Sequence, residues 1–349
     1  PLLINDPGLI TNWSFNSGSG DILYDHSGNQ NHGAINGATW VYQPRIISVP
    51  TDFSTIQSAL SAANENDTIL VLPGTYNENI LWPNTPNLHL ISESGPEQTI
   101  IDGSLSGTVI DFGDGQNWGS ILVEGFTIKN GQSGSGGGIR ISFSNNYDNN
   151  ITLNKLIIEE NLGAYGGGIW LSSNGSSVTI NSSIIRNNTG SAIWGNLIWQ
   201  ANIVINNSLI YQNDGGAISN GSFDYGFGWE INYCTIINNN GAYDGFYGGA
   251  FALGEGDLNI SNSIVYNNSN TDITHNGGYG SIGVYNSLIT NDENSVTIFN
   301  PSELIQFDWS DNLYGINPNF IDESNENFQL SDYSAAVSYT HLRAHETRH

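Results

Sequence analysis

VEGFTIKNG (123–131), LNKLIIEEN (153–161), INSSIIRNN (180–188), INNSLIYQN (205–213), INYCTIINN (231–239), ISNSIVYNN (260–268) and VYNSLITND (284–292) are seven versions of one phrase. The aliphatic residue at the sixth place is Ile128, Ile158, Ile185, Ile210, Ile236, Val265 and Ile289, at steps of 30, 27, 25, 26, 29 and 24 residues. A period of this size marks a solenoid, in which each repeat is one coil that buries its apolar edge only by stacking on its neighbours. Side chains alternate along a strand, so the residue two before each anchor shares its face. That predicts an inward column of Phe126, Leu156, Ser183, Ser208, Cys234, Ser263 and Ser287. Three residues past the anchor stand Asn161, Asn188, Asn213, Asn239 and Asn268. An amide at the same corner of successive coils can bond the amides above and below it, which predicts an asparagine ladder.

Upstream of the repeats, strand-like runs recur from about residue 68 as TILVL, HLIS, TIID, TVIDF and ILVEGF. Before them comes ISVPTDFSTIQSALSAANENDTILVLPGTYNENI (47–80), where Phe53, Ile56, Leu60 and Ala63 fall at helical spacing behind the capping candidates Thr51 and Asp52. The spacing predicts an amphipathic helix over about 53–63, laid across the first coil, because an open solenoid end exposes core and unpaired strand edges. TIQSAL, DTILVLPGTY and ENI, in that order, resemble the entry to pectin-lyase-like parallel β-helices. INPNFIDESNENFQLSDYSAA (316–336) resembles the closing segment of such domains on secreted and cell-surface bacterial proteins. The resemblance implies an all-β, right-handed parallel β-helix solenoid over 46–336, with three strands per coil, about ten coils and a short N-terminal capping α-helix.

Two flanking pieces stand apart from the repeats. DHSGNQNHGAINGATW, inside residues 1–45, resembles the opening strands of concanavalin-like (LamG) domains and implies a partial β segment there. VSYTHLRAHETRH (337–349) carries two of the seven basic residues and three of the seven histidines, and resembles translated sequencing-adapter sequence. It is expected to be a non-native tail. With no methionine and a start inside a domain, the chain reads as a fragment whose export signal lies elsewhere.

Composition narrows the partners. Seven Lys+Arg against 33 Asp+Glu, a net charge of -26, excludes nucleic acid and anionic membrane surfaces, which need clustered cations. The same charge weighs against an anionic polysaccharide unless bound cations bridge the like charges. No run approaches the roughly 18 apolar residues of a membrane span, so no membrane insertion is expected. The single Cys234 excludes an intrachain disulfide, leaving stacking to hold the fold. An extracellular or cell-surface monomer is the expected setting. Asn (49) and Gly (42) dominate, as sharply turning coils require.

A second strand in each coil is marked by GGGIRI (136–141), GGGIWL (166–171), GSAIWG (190–195), GGAISN (215–220) and GGAFAL (248–253). With Ile139, Ile169, Ile193, Ile218 and Phe251 inward, alternation sends Arg140, Trp170, Trp194, Ser219 and Ala252 outward. Indoles on coils about 4.8 Å apart can stack on the apolar faces of a glycan, and an arginine beside them can bond hydroxyls or a carboxylate. Tyr165, Trp229, Phe246 and Tyr247 are placed on turns near that face. A polysaccharide or cell-surface glycan is therefore the expected partner, and a non-catalytic binding protein the expected function. The alternative for the indoles is that they only stack on each other and shield the sheet.

The alternative function is a polysaccharide lyase or glycoside hydrolase. β-Elimination needs a base and a cation to hold the uronate, yet Arg45, Lys129, Arg140, Lys155 and Arg186 do not cluster in sequence around paired carboxylates. The polygalacturonase strings are not present as a set; a stray NHG stands at 31–33. Two carboxylates, or an arginine with a carboxylate cluster, within about 6 Å of Trp170 would favour catalysis. No cofactor is required, although Asp102, Asp111 and Asp114, within 13 residues, could bind calcium or be solvated turn acids. His26, His32, His89 and His275 lack metal-ligand spacing.

Overall fold

The computed structural model describes residues 8–13, 15, 20–40, 43–114, 118–142, 149–173, 175–197, 201–221, 228–241, 248–275, 280–292, 294, 296–298 and 306–338. The chain divides into two compact units, Pro1–Arg45 and Ile46–His349. In the first, Ile22–Leu23 pairs antiparallel with Gly33–Ala34. The Asp25 carboxylate beside that pair accepts from the backbone N–H groups of Asn12, Ser27 and Asn31 at 2.8, 2.9 and 3.0 Å.

The second unit is a parallel β-helix with three sheets. The first sheet holds eleven strands, from Ile46–Val49 to Gln306–Ser310. A second holds ten, from Gly74–Asn77 to Leu313–Tyr314, and a third holds nine, from Ile80–Leu81 to Thr297–Ile298. Every strand in the three pairs parallel with the equivalent strand of the next coil, so sequence repeats become stacked rows.

Each repeated phrase covers the end of a first-sheet strand and a second-sheet strand, three residues long in the first six phrases and two, Leu288–Ile289, in the seventh. One residue in the left-handed region sits between the two strands, and in the first six phrases another follows them. Lys155, Ser182, Asn207, Tyr233, Asn262 and Asn286 make the first corner, and Asn130, Glu160, Asn187, Gln212, Asn238 and Asn267 the second. Seven of these twelve are Asn, the non-glycine residue that tolerates positive φ best. These seven corner residues and the five of the ladder use twelve of the 49 asparagines.

Both predicted columns are present. Phe126, Leu156, Ser183, Ser208, Cys234, Ser263 and Ser287 are all buried. The serine hydroxyls link coils, accepting from backbone N–H groups of Leu156, Ser183, Cys234 and Ser263 at 3.1, 3.2, 3.0 and 3.1 Å in turn. Burial pushes the Cys234 thiol up to about 12, which keeps it an unreactive member of the column. In the ladder, the amides of Asn188, Asn213 and Asn239 each donate to the next Oδ1 at 2.9 Å and to a backbone carbonyl at 3.0 Å.

Where the ladder ends, Asn268 donates instead to Asp272, at 3.4 Å. The Asp272 carboxylate also accepts from the N–H groups of Thr290 and Asn291 at 3.0 and 3.3 Å, and burial raises its pKa to about 6. The folded state thus holds a proton there that the unfolded chain releases near 3.8. Stability gained from this group is full at low pH and is lost as pH rises through about 6. Chemical denaturation from pH 4.5 to 7 should therefore show the stability of wild type falling relative to Asp272→Asn. A constant difference over that range would contradict the assignment.

The capping helix is shorter than expected. It spans Ile56–Ala62, with Thr55 as N-cap accepting from Ser58 N–H, and the Glu78 carboxylate accepts from the N–H groups of Ile56 and Gln57 at 2.9 Å each. Asp52, a sequence candidate for the cap, turns back to accept from Ser48 N–H at 2.7 Å. Ile56, Leu60 and Ala63 are buried in the core as the spacing requires, together with Ala59, whereas Phe53 precedes the helix and is half-buried against that core.

The closing segment folds back along the side of the second sheet. Phe320–Asp322 pairs antiparallel with Asn327–Leu330, and Phe328 packs on Tyr211 and Ile237, outward residues that are nonetheless buried. Arg186 joins Glu159, Tyr211 and Glu326 at 2.7, 2.6 and 3.1 Å, a bridge across 140 residues. The helical turn Ala335–Ser338 follows, with Ala336 buried against Ile264 and Leu288. That turn includes Val337 and Ser338, the first two residues of the segment expected to be a foreign tail; residues 339–349 lie outside the described residues.

Candidate functional site

Third-sheet register places Asp111, Arg140, Trp170, Trp194, Ser219 and Ala252 in one line of laterally paired residues. The row expected from alternation is thus formed, and it extends one coil further, to Asp111. Exposure is graded along it. Arg140, Trp170 and Trp194 are half-buried, whereas Ser219 and Ala252 are buried. The solvent-reaching part of the row is therefore Asp111, Arg140, Trp170 and Trp194.

Close approach of successive coils makes this row possible. A Cβ added at Gly137, Gly138 or Gly168 would stand 2.6 Å from the Leu162 carbonyl oxygen, 2.6 Å from that of Gly168 and 2.5 Å from that of Ala192. At Gly167 it would overlap the Thr189 carbonyl oxygen. The triple glycine is thus set by backbone packing ahead of the third sheet.

The two indoles have different partners. The Arg140 guanidinium carbon lies 5.5 Å from the centroid of Trp170, within cation–π range. Trp194 meets the half-exposed Tyr165 ring at 5.0 Å and 59°. Gly221 also lies against it, and a Cβ there would come within 2.9 Å of the indole.

Arg140 also holds two carboxylates, donating through Nη1 to Asp111 at 2.9 Å and through Nη2 to Asp114 at 2.7 Å. Burial pulls the guanidinium pKa down, but the two carboxylate bonds more than offset it and leave it raised. Hydrogen bonds from Ser142 and then Arg140 hold Asp114 below the usual carboxylate range. Asp114 pairs in register with Ser142, and Ser142, Ser172 and Asn196 follow as a second row. These hydroxyl and amide groups were not singled out in the sequence; counting two residues on from the aromatic row finds them.

The remaining sequence candidates fall elsewhere. Trp229 belongs to the first sheet, between Ile203 and Leu258, and is fully buried. It is a core residue and leaves the row, because its place in the strand has the inward parity. Tyr247, like Phe246, lies outside the described residues. Asp102 is not brought to Asp111 and Asp114: it ends a second-sheet strand, where it accepts from Ser104 N–H and the Asn130 amide at 2.8 Å each. Among the described residues no group of three His, Cys, Asp or Glu side chains is placed to hold a metal ion. The cation that Asp111 and Asp114 share is the guanidinium.

No protein-family model and no curated protein matches the chain. Among solved structures it is similar to pectate lyase Pel9A, at 13% identity and a TM-score of 0.49, over 84% of this chain and 91% of that one. It is also similar to the pectin methylesterase of Aspergillus niger, at 14% identity and a TM-score of 0.44, over 86% and 93% of the two chains. The carrot pectin methylesterase gives 14% identity and 0.42, over 87% and 96%.

Proposed function

We propose that the outer face of the third sheet binds polysaccharide without catalysis, on an exported protein that works outside the cell or at its surface as a monomer. The observation that carries this reading is the register of Trp170 on Trp194 in adjacent coils, half-buried and flanked by Arg140 and by the Ser172 and Asn196 row. Ring faces at a coil spacing of about 4.8 Å suit successive pyranose units. Adjacent hydroxyl and amide groups suit the sugar hydroxyls. No helix among the described residues is long and apolar enough to cross a membrane.

The test is pull-down and affinity electrophoresis on a polysaccharide panel with Trp170→Ala/Trp194→Ala. Retention should fall at least about tenfold, as loss of two stacked rings implies, while circular dichroism stays that of wild type. Unchanged retention would sink the proposal.

One observation favours the second reading, a polysaccharide lyase or glycoside hydrolase. Arg140 stands 5.5 Å from Trp170 with Asp111 and Asp114 bonded to it, which brings an arginine and two carboxylates beside the indole. The protonation of Arg140 and Asp114 argues the other way. General acid–base work needs groups that titrate near the working pH, whereas Arg140 is raised and Asp114 lowered. Reducing-end or unsaturated product above blank, removed by Arg140→Ala, would establish the enzyme instead.

A further inference from the structure

Resting on the saccharide reading of this face, we propose that Asp111, Arg140 and Asp114 form a charge gate that admits neutral, hydroxyl-rich sugars and turns away uronates. A lone arginine beside two indoles would recruit a sugar carboxylate through its fork of N–H groups. Here each Nη already donates to a carboxylate, Nη1 to Asp111 and Nη2 to Asp114, which takes two of the five N–H donors and sets a negative charge at each end of the fork. A uronate that takes the place of one of these carboxylates exchanges one charged bond for another and leaves the displaced Asp facing the ligand. Alternatively it must sit against a cluster whose charges, two negative and one positive, sum to minus one.

A neutral sugar meets no such opposition. The Asp114 side chain is 67% exposed and that of Asp111 32%, so both carboxylates present oxygens that accept from sugar O–H groups. Ser172 and Asn196 continue the polar line beside the indoles, and neither position adds charge. The sugar's C–H face is left to Trp170, Trp194 and Tyr165. The gate thus separates two functions within one strip: rings supply contact area, and the ion-paired cluster decides charge.

Matched probes isolate the charge. Fully methyl-esterified homogalacturonan and its de-esterified form differ in carboxyl charge on the same backbone, and neutral glucan, galactan and mannan complete the panel. Binding is measured by affinity electrophoresis at fixed ionic strength with EDTA present. Wild type should bind at least one neutral probe, and de-esterified homogalacturonan at least about tenfold more weakly than its ester or the best neutral probe. Asp111→Asn/Asp114→Asn, and Asp114→Asn alone as the milder variant, should raise uronate binding several-fold and shift the ratio of de-esterified to esterified probe bound at least several-fold toward the uronate.

Equal wild-type binding of neutral and de-esterified probes would overturn the gate and leave the glycan reading standing. So would Asn variants with no gain for the uronate. Binding of no probe at all would overturn the saccharide reading and the gate with it.

Discussion

Asn213→Ala is expected to lower the stability of the β-helix by about 3–5 kcal/mol, the cost of several buried polar groups losing partners at once. The Asn213 amide donates to Ile185 O, Tyr211 O and Asn239 Oδ1 at 3.0, 3.0 and 2.9 Å. Its Oδ1 accepts from the backbone and the amide of Asn188 at 3.1 and 2.9 Å. Alanine removes both ends of this exchange in a site with no water access. Asn232→Ala is the matched control, since that amide belongs to an outward, part-buried row with Asn206 and should cost under about 1 kcal/mol. Urea midpoints decide between them. Equal shifts for the two variants would show that the ladder is decoration on a fold held by its apolar core.

Gly167→Ala should be nearly as damaging, by about 2–4 kcal/mol, for a steric reason. The added methyl would overlap the Thr189 carbonyl oxygen of the next coil. That carbonyl cannot retreat freely, because it accepts from Gly163 N–H at 3.0 Å, while Gly167 itself accepts from Gly138 N–H at 3.0 Å. The strain would pass along three residues to Trp170, so a change in indole fluorescence should accompany the loss. Gly134→Ala is the control, because a Cβ there meets nothing within 4 Å. A Gly167→Ala protein as stable as the Gly134→Ala one would mean that adjacent coils can part locally at little cost.

Features repeated in every coil were readable from the chain alone. Ile185, Ser183 and Asn188 could each be given a job because the same residue type returns at a fixed place in the neighbouring phrases, and parallel stacking turns that into a row. The line Arg140, Trp170, Trp194 followed from the same logic. Stepping one coil further back would have put Asp111 beside Arg140, because the TVIDF run stands one period upstream of GGGIRI.

What did not show was anything that crosses coils out of sequence order. Tyr211 and Ile237 hold apolar side chains where Glu159 and Arg186 stand in earlier coils, yet their cover comes from Phe328, about a hundred residues on, and no local period encodes that contact. Trp229 misled for a related reason. A tryptophan near an aromatic row invites a surface role, and only its strand and parity, next to Ile203 and Leu258, send it to the core.

The bridge from Arg186 to Glu326 changes how the array should behave under load. A solenoid pulled from its C-terminal end would normally shed coils one at a time, each rupture leaving the next as the weakest link. Because the terminal hairpin is fastened to coils near residues 186, 211 and 238, tension reaching it is delivered to the middle of the stack. The last coils are thereby enclosed in a loop that slackens only after the hairpin peels away. The molecule should resist extension through one early, shared rupture, followed by easy unravelling, instead of a staircase of equal steps.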